Sequence, residues 1–221
     1  EYNLDLNLNL QQCSKPFSKY SIAPLSKIIK RPFNNLKYFM QNKRFNWNDT
    51  EHLSPVKNQG QCGSCWAFST TTVVETFMRN NNFTVERLSE QQLVDCSKED
   101  YGCNGGLMHT ALEYIINNKG LLENKNYPYK ATTQNCSSNT NNTPNAIGSN
   151  ITDYEYIIPK SIVDMKKSVL QSPVAIAIDA NNLYFRFYKE GVIDVPNNVS
   201  HNLNHAVTLV GFDYDEKGMY W

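Results

Sequence analysis

Two cysteines spaced as C-x-x-C, in Cys62-Gly63-Ser64-Cys65, are the residues whose types and spacing could most directly do chemistry. Such a pair can be a redox centre, half of a zinc site or the location of a nucleophilic thiol. A redox pair of the thioredoxin type follows a strand in a βαβ unit, whereas the stretch before Cys62 has the composition of a turn. A zinc site needs a second pair at matching spacing, and Cys96 and Cys103 lie seven residues apart. The sequence therefore favours a nucleophile.

Cys65 is the candidate nucleophile because of the segment that follows it. Residues 65–78 (CWAFSTTTVVETFM) carry apolar side chains on more than one face, which predicts a largely buried helix. A thiol in the first turn of a helix lies beside unpaired N–H groups and the positive end of the helix dipole, which stabilise a thiolate. Such a thiol still needs a base.

Four histidines could supply that base. His52 and His201 stand in polar stretches typical of surface loops, and His109 begins a predicted helix, where a structural or solvated role is the simpler interpretation. His205 opens the apolar run AVTLVGF (206–212), so its ring would project from the edge of a rigid sheet. His205 is the candidate base.

The elements that must position these residues change in type along the chain. The first half predicts three helices, over 65–78, after the N-cap Ser89 with Gln92 as its capping-box partner, and over 107–117. The second half predicts strands over 172–179, 191–193, 206–214 and 218–221, with a turn at 215–218. A helical half followed by a strand half indicates an α+β protein of two packed subdomains, with a cleft between them as the default location of a site.

Composition excludes several classes of function. The 221 residues, 25.3 kDa, suit one large domain or two small ones. No run approaches the roughly 18 apolar residues of a membrane-spanning helix. The net charge of zero combines +6 over residues 1–48 with −6 over the remainder. Because the basic region has no tight cluster of Lys and Arg, nucleic-acid binding is not predicted.

The number and spacing of the cysteines point to an oxidising compartment. Five of the six cysteines lie between residues 62 and 136, which favours disulfides and leaves one of the five as a thiol. Residues 135–150 predict one long loop rich in Asn, Ser and Thr. In a secreted protein, the Asn-x-Ser/Thr sequons would be candidates for glycosylation on surface loops. They begin at Asn48, Asn82, Asn135, Asn141, Asn150 and Asn198.

Four motifs together resemble those of a known family. They are QGQCGSCWAFS (59–69), LSEQQLVDC (88–96), GCNGG (102–106) and NHAV (204–207). In this order and spacing they resemble the signatures of the papain-like cysteine proteases, peptidase family C1, and in particular of its cathepsin L-like members. The resemblance covers about residues 45–221. It implies a papain-like fold with a helical left subdomain, a β-barrel-like right subdomain and the active-site cleft between them.

The resemblance also implies roles for individual residues. Cys65 would be the nucleophile and His205 its base, held as a thiolate–imidazolium pair that forms an acyl-enzyme. Gln59 would donate from its side chain to the oxyanion, together with the backbone N–H of Cys65. The family pattern pairs Cys62 with Cys103 and Cys96 with Cys136, which leaves Cys65 as the thiol.

A substrate-binding surface follows from the same resemblance. Its implied residues are Gly63, Gly105, Gly106, Leu107, Met108, Ala177, Leu203, Asn204 and Ala206. The turn Gly105-Gly106 would pair with an extended substrate backbone, and the apolar wall around it predicts a bulky hydrophobic residue, such as Leu or Phe, at P2. No His-rich insertion like a dipeptidase's occluding loop is visible, which favours an endopeptidase over an exopeptidase.

For the whole protein, the family implies a monomeric zymogen of a lysosome-like compartment or a secreted enzyme. Its partners would be protein or peptide substrates, a propeptide and cystatin-like inhibitors, with no cofactor, metal, nucleic acid or membrane. Residues 1–40, interrupted by Pro16, Pro24 and Pro32, are expected to be a poorly ordered leader or propeptide remnant. The peptidase domain is expected to span residues 41–221.

The chain departs from the family pattern at its carboxyl end. The family's third catalytic residue, an Asn, follows a Tyr-Trp pair like Tyr220-Trp221, and the remaining strands of the right subdomain would follow as well. We therefore expect a C-terminally truncated domain with weak or no activity. The alternative is a catalytically silent homologue that only binds peptides, against which the presence of Cys65, His205 and Gln59 argues.

Overall fold

The computed structural model describes residues 44–137, 151–196 and 202–221, together with the backbone of residues 22–25. The helices are α1 (Cys65–Asn80), α2 (Glu90–Cys96), α3 (Met108–Asn117), α4 (Ile162–Gln171) and α5 (Leu183–Arg186). The strands are β1 (Ile22–Leu25), β2 (Phe45–Asn46), β3 (Asp153–Tyr156), β4 (Val174–Ile178), β5 (His205–Leu209), β6 (Gly211–Asp215) and β7 (Gly218–Tyr220). Short 3-10 helices lie at Trp47–Asp49 and Gly102–Asn104.

Helix α1 lies at the centre of the main hydrophobic core. Its buried side chains, among them Trp66, Val73, Val74 and Met78, face several directions. The helix can therefore pack against α2 and α3 and also against β4 and β5. The prediction of a largely buried helix from residue 65 is confirmed.

The next two helices are also confirmed, with one difference. Ser89 caps α2, since its Oγ accepts a hydrogen bond from the Gln92 amide at 2.9 Å. The Gln92 side chain does not complete the predicted capping box. Its Nε2 donates to the Tyr114 hydroxyl and its Oε1 accepts from the Leu122 amide, so Gln92 joins α2 to α3 and to the segment that follows α3.

The described strands form two antiparallel sheets. The first has the strand order β3-β1-β4-β5 and the second the order β2-β6-β7. In the first sheet Val174 pairs with Leu209 and Ile178 with His205, which places His205 at the end of the ladder. The strands β2 and β3 and the helices α4 and α5 are not among the predicted elements.

Strand β1 comes from the region expected to be a leader. Ile22–Leu25 pairs with Asp153–Tyr156 along its length, and Ile22 also pairs with Ala175 of β4. No regular structure is predicted here, whereas these four residues occupy an interior position in the sheet. The other residues of the predicted leader, 1–21 and 26–40, lie outside the described residues.

The long strand predicted over 206–214 is two strands. The chain leaves the first sheet after Leu209 and enters the second at Gly211, and the carbonyl of Val210 between them accepts a hydrogen bond from the Trp47 amide at 2.9 Å. A side chain at Gly211 would collide with the backbone of Phe45. The strand changes sheets where only glycine lets the neighbouring backbone approach.

The prediction of a strand over 191–193 is wrong. Gly191 has a φ of 82°, a left-handed conformation that interrupts an extended segment, and its carbonyl accepts a hydrogen bond from the Tyr188 hydroxyl at 2.7 Å. The predicted turn before the last strand is confirmed, since the Asp215 carboxylate accepts hydrogen bonds from the amides of Lys217 and Gly218.

Some predicted features fall outside the described residues. They include most of the 135–150 loop, His201 and the sequons at Asn141, Asn150 and Asn198. The other three sequon asparagines, Asn48, Asn82 and Asn135, are exposed. Within the described residues, no helix combines the length and apolar character that a membrane span requires.

Candidate active site

Cys65 is the first residue of α1 and is 1% exposed. The preceding Ser64 is the N-cap residue, and its backbone carbonyl accepts hydrogen bonds from the amides of Ala67 and Phe68. A sixteen-residue helix presents the positive end of its dipole at this position. The sulfur atom therefore lies where a negative charge is favoured.

Two disulfides leave Cys65 outside both bridges. They are Cys62–Cys103 and Cys96–Cys136, which are the two pairs implied by the family resemblance. The first joins the turn before Cys65 to the glycine-rich turn at 102–106, and the amide of Gly63 donates to the Cys103 carbonyl at 2.8 Å. The turn before Cys65 and the glycine-rich turn are thus connected covalently and by a hydrogen bond.

Gln59 starts the turn that leads into Cys65. Gly60 has a φ of 60°, which lets the chain reverse directly after it. The Gln59 Nε2 donates to the carbonyl of Cys62 at 2.9 Å, so its carboxamide folds back over the turn. A carboxamide has two N–H groups, and this bond uses one of them.

His205 is half-buried at the start of β5. Directly before it, the buried Asn204 fixes the entry to the strand. Its amide donates to the Ile178 carbonyl at 3.0 Å and its Oδ1 accepts from the Ala180 amide at 2.9 Å. The backbone that carries the imidazole is therefore held from the neighbouring strand.

A hydrogen bond joins the helix of Cys65 to the strand of His205. The Ser69 hydroxyl, one helical turn after Cys65, donates to the carbonyl of Val207, two residues after His205, at 2.8 Å. Sequence reasoning did not assign a role to Ser69, although the residue lies inside the first motif. The helix that begins at Cys65 is thus hydrogen-bonded to the strand that begins at His205.

The apolar residues implied for the substrate wall belong to, or pack against, the main hydrophobic core. Met108 and Ala206 belong to the same buried cluster as Cys65, and three partly buried residues pack against it. These are Leu107, Ala177 and Leu203. Residues from a helix start, a strand and the segment before β5 therefore belong to, or pack against, the hydrophobic cluster that contains Cys65.

The glycine-rich turn has a tightly packed interior. Gly105 has a φ of 117°, and a Cβ at Gly106 would lie 2.6 Å from both the Asp100 carboxylate and the Trp66 ring. Asp100 accepts hydrogen bonds from the Leu107 amide and the hydroxyls of Thr110 and Ser97. Burial raises the pKa of Asp100, and these donors oppose that effect. Asp100 holds the turn that carries the implied substrate backbone contacts.

Lys57, two residues before Gln59, belongs to a buried ionic network that was not predicted from the sequence. Lys57 Nζ lies 2.8 Å from Glu75 Oε1 and 2.7 Å from Glu90 Oε1, and all three side chains are at most 5% exposed. The Glu75 carboxylate also accepts from the Leu88 amide and the Ser54 hydroxyl. Nothing in the local pattern signals this network, because its members are far apart in the sequence.

Cavity size does not identify the site. A cavity of about 780 Å³ lies on the sheet, where Ile176, Leu209, Phe212 and Trp221 are among its lining residues. It includes none of Cys65, His205 and Gln59. Nor do the described residues contain a cluster of three or more His, Cys, Asp or Glu that could hold a metal ion. The side-chain chemistry around Cys65 is the stronger indication.

Comparison with known proteins gives a consistent family. The model of the papain family cysteine protease matches residues 41–221. "Cysteine proteinase 5" of Dictyostelium discoideum is 41% identical over 166 residues, which cover 75% of this chain and 47% of that protein. "Cathepsin L-like peptidase" of Aedes aegypti is 42% identical over 181 residues, which cover 79% of this chain and 52% of that protein. The chain spans about half the length of these curated relatives.

A solved structure agrees with the sequence relatives. The bromelain protease from Ananas comosus, in complex with the E64 inhibitor, has a TM-score of 0.71 and 40% sequence identity to this chain. The match covers 81% of this chain and 80% of the bromelain chain.

Proposed function

Because the chain belongs to the papain family of cysteine proteases, we propose that it is a cysteine endopeptidase that cleaves peptide bonds with Cys65 and His205. One observation carries the proposal. Cys65 is buried at the first residue of α1, outside both disulfides, on a helix that is hydrogen-bonded to the strand of His205. The retention of Cys65, His205 and Gln59 favours an enzyme over a silent homologue that only binds peptides.

In the proposed reaction, the proton of the Cys65 thiol moves to His205, and the sulfur becomes a thiolate. The sulfur attacks the peptide carbonyl carbon, and the π electrons move to the oxygen. When the tetrahedral intermediate collapses, the C–N bond breaks and His205 gives its proton to the leaving amine. A water molecule, deprotonated by His205, then attacks the thioester, and the carboxylic acid leaves as the thiol is restored.

The transient oxyanion needs donors in fixed positions. We assign this role to the Gln59 carboxamide and the backbone N–H of Cys65. A carboxamide suits the task because it donates without titrating, and the N–H groups at the start of a helix carry the positive end of its dipole. The turn between the two residues sets their separation.

The apolar wall supports a preference for a bulky hydrophobic P2 residue. Leu107, Met108, Ala177, Leu203 and Ala206 are uncharged, and they belong to, or pack against, the hydrophobic cluster that includes Cys65. A Phe or Leu side chain would bury apolar area there, whereas an Arg side chain would lose hydration without gaining a counter-ion. Gly63, Gly105 and Gly106 would contact the extended substrate backbone, and Asn204 would fix the strand that leads to the base.

The domain that carries this activity would span residues 41–221, with the cleft between the α1–α3 helices and the β4–β5 region. Two disulfides support an oxidising location, either a secreted state or a lysosome-like compartment. Residues 1–40 would precede this domain as a leader.

The test is covalent labelling of the expressed protein with a peptidyl epoxide. The Cys65 sulfur opens the ring, so that a C–S bond forms, a C–O bond breaks and the oxygen takes a proton. We expect one label, mapped to Cys65 by mass spectrometry, and none in the Cys65→Ser variant. Absence of labelling at Cys65, both in this chain and in one extended at its carboxyl end, would overturn the proposal.

Specificity is tested with two peptide substrates that differ only in Phe or Arg at P2. The kcat/KM for the Phe substrate should exceed that for the Arg substrate by about tenfold. A preference for Arg would contradict the assignment of the apolar wall while leaving the chemical mechanism intact.

A further inference from the structure

Tyr129 holds the Gln59 turn from outside. Its hydroxyl donates to the backbone carbonyl of Gln59 at 2.6 Å and lies 2.6 Å from the Ser64 Oγ. A phenol has one proton, and that proton is directed to Gln59. The hydroxyl of Ser64 therefore donates to the Tyr129 oxygen, which gives a relay from Ser64 through Tyr129 to Gln59.

The Tyr129 ring is itself fixed in place. It packs edge-on against Phe68, with ring centroids 4.9 Å apart and an interplanar angle of 87°. The Tyr129 amide donates to Asn124, and the next amide, of Lys130, donates to the Gln91 side chain at 2.7 Å. Burial raises the pKa of the Tyr129 hydroxyl, which keeps the donor protonated. These contacts fix the position of the hydroxyl relative to the Gln59 turn.

We infer that Tyr129 is a positioning residue that sets the spacing between the two oxyanion donors. It bonds to the main chain of Gln59, which carries one donor, and to the side chain of Ser64, which directly precedes Cys65, the other donor. Within the turn itself, the hydrogen bond from Gln59 Nε2 to the Cys62 carbonyl also restrains the Gln59 side chain. The inference rests on the proposed function, because the oxyanion site is part of it.

Oxyanion donors work only within about 2.7–3.1 Å of the developing charge, so small shifts in the turn should affect the chemical step. Removing such a donor outright reduces kcat by roughly 10²–10³-fold. Loss of one bond that positions the donors should therefore reduce kcat less, by about tenfold.

The variant Tyr129→Phe removes the hydroxyl and keeps the ring beside Phe68. We expect kcat to fall by about tenfold and KM to stay unchanged. The matched control is Tyr127→Phe. The Tyr127 hydroxyl donates to Asp95 at 3.0 Å, away from the turn, so this variant should keep the wild-type kcat.

A pair of thiol reagents separates the oxyanion site from the thiol. A peptide aldehyde adds to the Cys65 sulfur and forms a hemithioacetal, whose oxygen takes the place of the oxyanion. Iodoacetamide instead forms a C–S bond as iodide leaves, and no oxyanion develops. In Tyr129→Phe, the inhibition constant of the aldehyde should rise by about tenfold, while the alkylation rate stays at the wild-type value.

A double-mutant comparison tests whether Tyr129 acts through Gln59. In a Gln59→Ala background, Tyr129→Phe should cause little further loss of aldehyde affinity, because the donor that it positions is gone. If Tyr129→Phe does not fold, Ser64→Ala breaks the other half of the relay and should weaken aldehyde binding in the same direction.

The possible failures are distinct. If wild-type protein, as this chain and as one extended at its carboxyl end, neither hydrolyses peptides nor reacts with the aldehyde, the proposed function fails before any variant is compared. If wild-type protein is active and Tyr129→Phe matches it, or loses aldehyde affinity and alkylation rate equally, the inference about Tyr129 is overturned and the proposed function stands.

Discussion

The Ser69 hydroxyl donates a 2.8 Å hydrogen bond to the Val207 carbonyl and so connects α1 to β5. Ser69 lies one turn after Cys65, and Val207 lies two residues after His205. The bond therefore acts close to both ends of the proposed thiolate–imidazolium pair. Removing the bond tests whether it keeps α1 and β5 in the relative position that the pair requires.

Ser69→Ala should reduce both stability and activity. The Val207 carbonyl would lose its partner, at a cost of about 1–2 kcal/mol in the free energy of unfolding, and kcat should fall by about fivefold because the pair loses orientation. Thr70→Val is the control, since the Thr70 hydroxyl donates to Trp66 at 2.8 Å within the same helix. Urea unfolding and steady-state kinetics measure both effects. Full kcat in Ser69→Ala would contradict the prediction.

The two disulfides should differ in their effect on activity although they close loops of nearly equal length, 41 and 40 residues. Removing either as a double Ala variant should cost about 4 kcal/mol of stability by the loop-entropy estimate. Only Cys62→Ala/Cys103→Ala should also lower the kcat of the folded fraction, because that bridge holds the Gln59 turn. Equal kcat values in the two folded variants would show that the first bridge does not position the site.

Lys57→Met should be strongly destabilising. It would leave the buried carboxylates of Glu75 and Glu90 without their counter-ion, at about 3–5 kcal/mol in the free energy of unfolding. Lys125→Met is the matched control, because its partners Glu86 and Glu123 form pairs at an exposed lysine, and its unfolding midpoint should not move. Adding Glu75→Gln and Glu90→Gln to Lys57→Met should recover part of the loss. If it does not, uncompensated charge is not the cause.

Asp100→Asn should gain stability relative to wild type as pH rises. Burial raises the pKa of Asp100 in the folded protein, so the folded state binds a proton more readily than the unfolded chain. Its contribution to stability is present below the unfolded pKa and is lost as pH rises through the folded pKa. The Asn side chain at position 100 does not titrate, and its oxygen can still accept hydrogen bonds from Leu107 and Thr110. The difference in free energy of unfolding, variant minus wild type, should increase from about pH 4 to about pH 7. A constant or falling difference in urea unfolding would refute this.

The sequence predicted the features that depend on local pattern or on the family motifs. The helices at 65–80, 90–96 and 108–117 follow from apolar periodicity and from the Ser89 cap. The likeness to bromelain confirms the papain-like α+β fold that the four motifs imply. The ionic network and the Gln92 contacts to Tyr114 and Leu122 were missed, because their partners come together only in the folded chain.

In helix α4, which was not predicted, part of the burial runs against hydrophobicity. Ile162 and Val163 are 56% and 45% exposed, whereas Lys166 is 8% exposed. The Lys166 ammonium lies 4.4 Å from the centroid of the Phe212 ring and donates to the Tyr214 hydroxyl. A cation over an aromatic face is stable inside the structure, and no pattern of apolar residues within 162–171 could indicate it.

The position of β1 has a consequence for the order in which the chain folds during synthesis. Ile22–Leu25 leaves the ribosome early, but its partners in β3 and β4 follow much later. Until they emerge, the segment is an unpaired strand that could add to the sheet edge of another chain. Pairing across such a long stretch of chain is also slow. The sheet that carries His205 should therefore be among the last parts of the protein to form, and the stage before its closure should be the one most prone to aggregation.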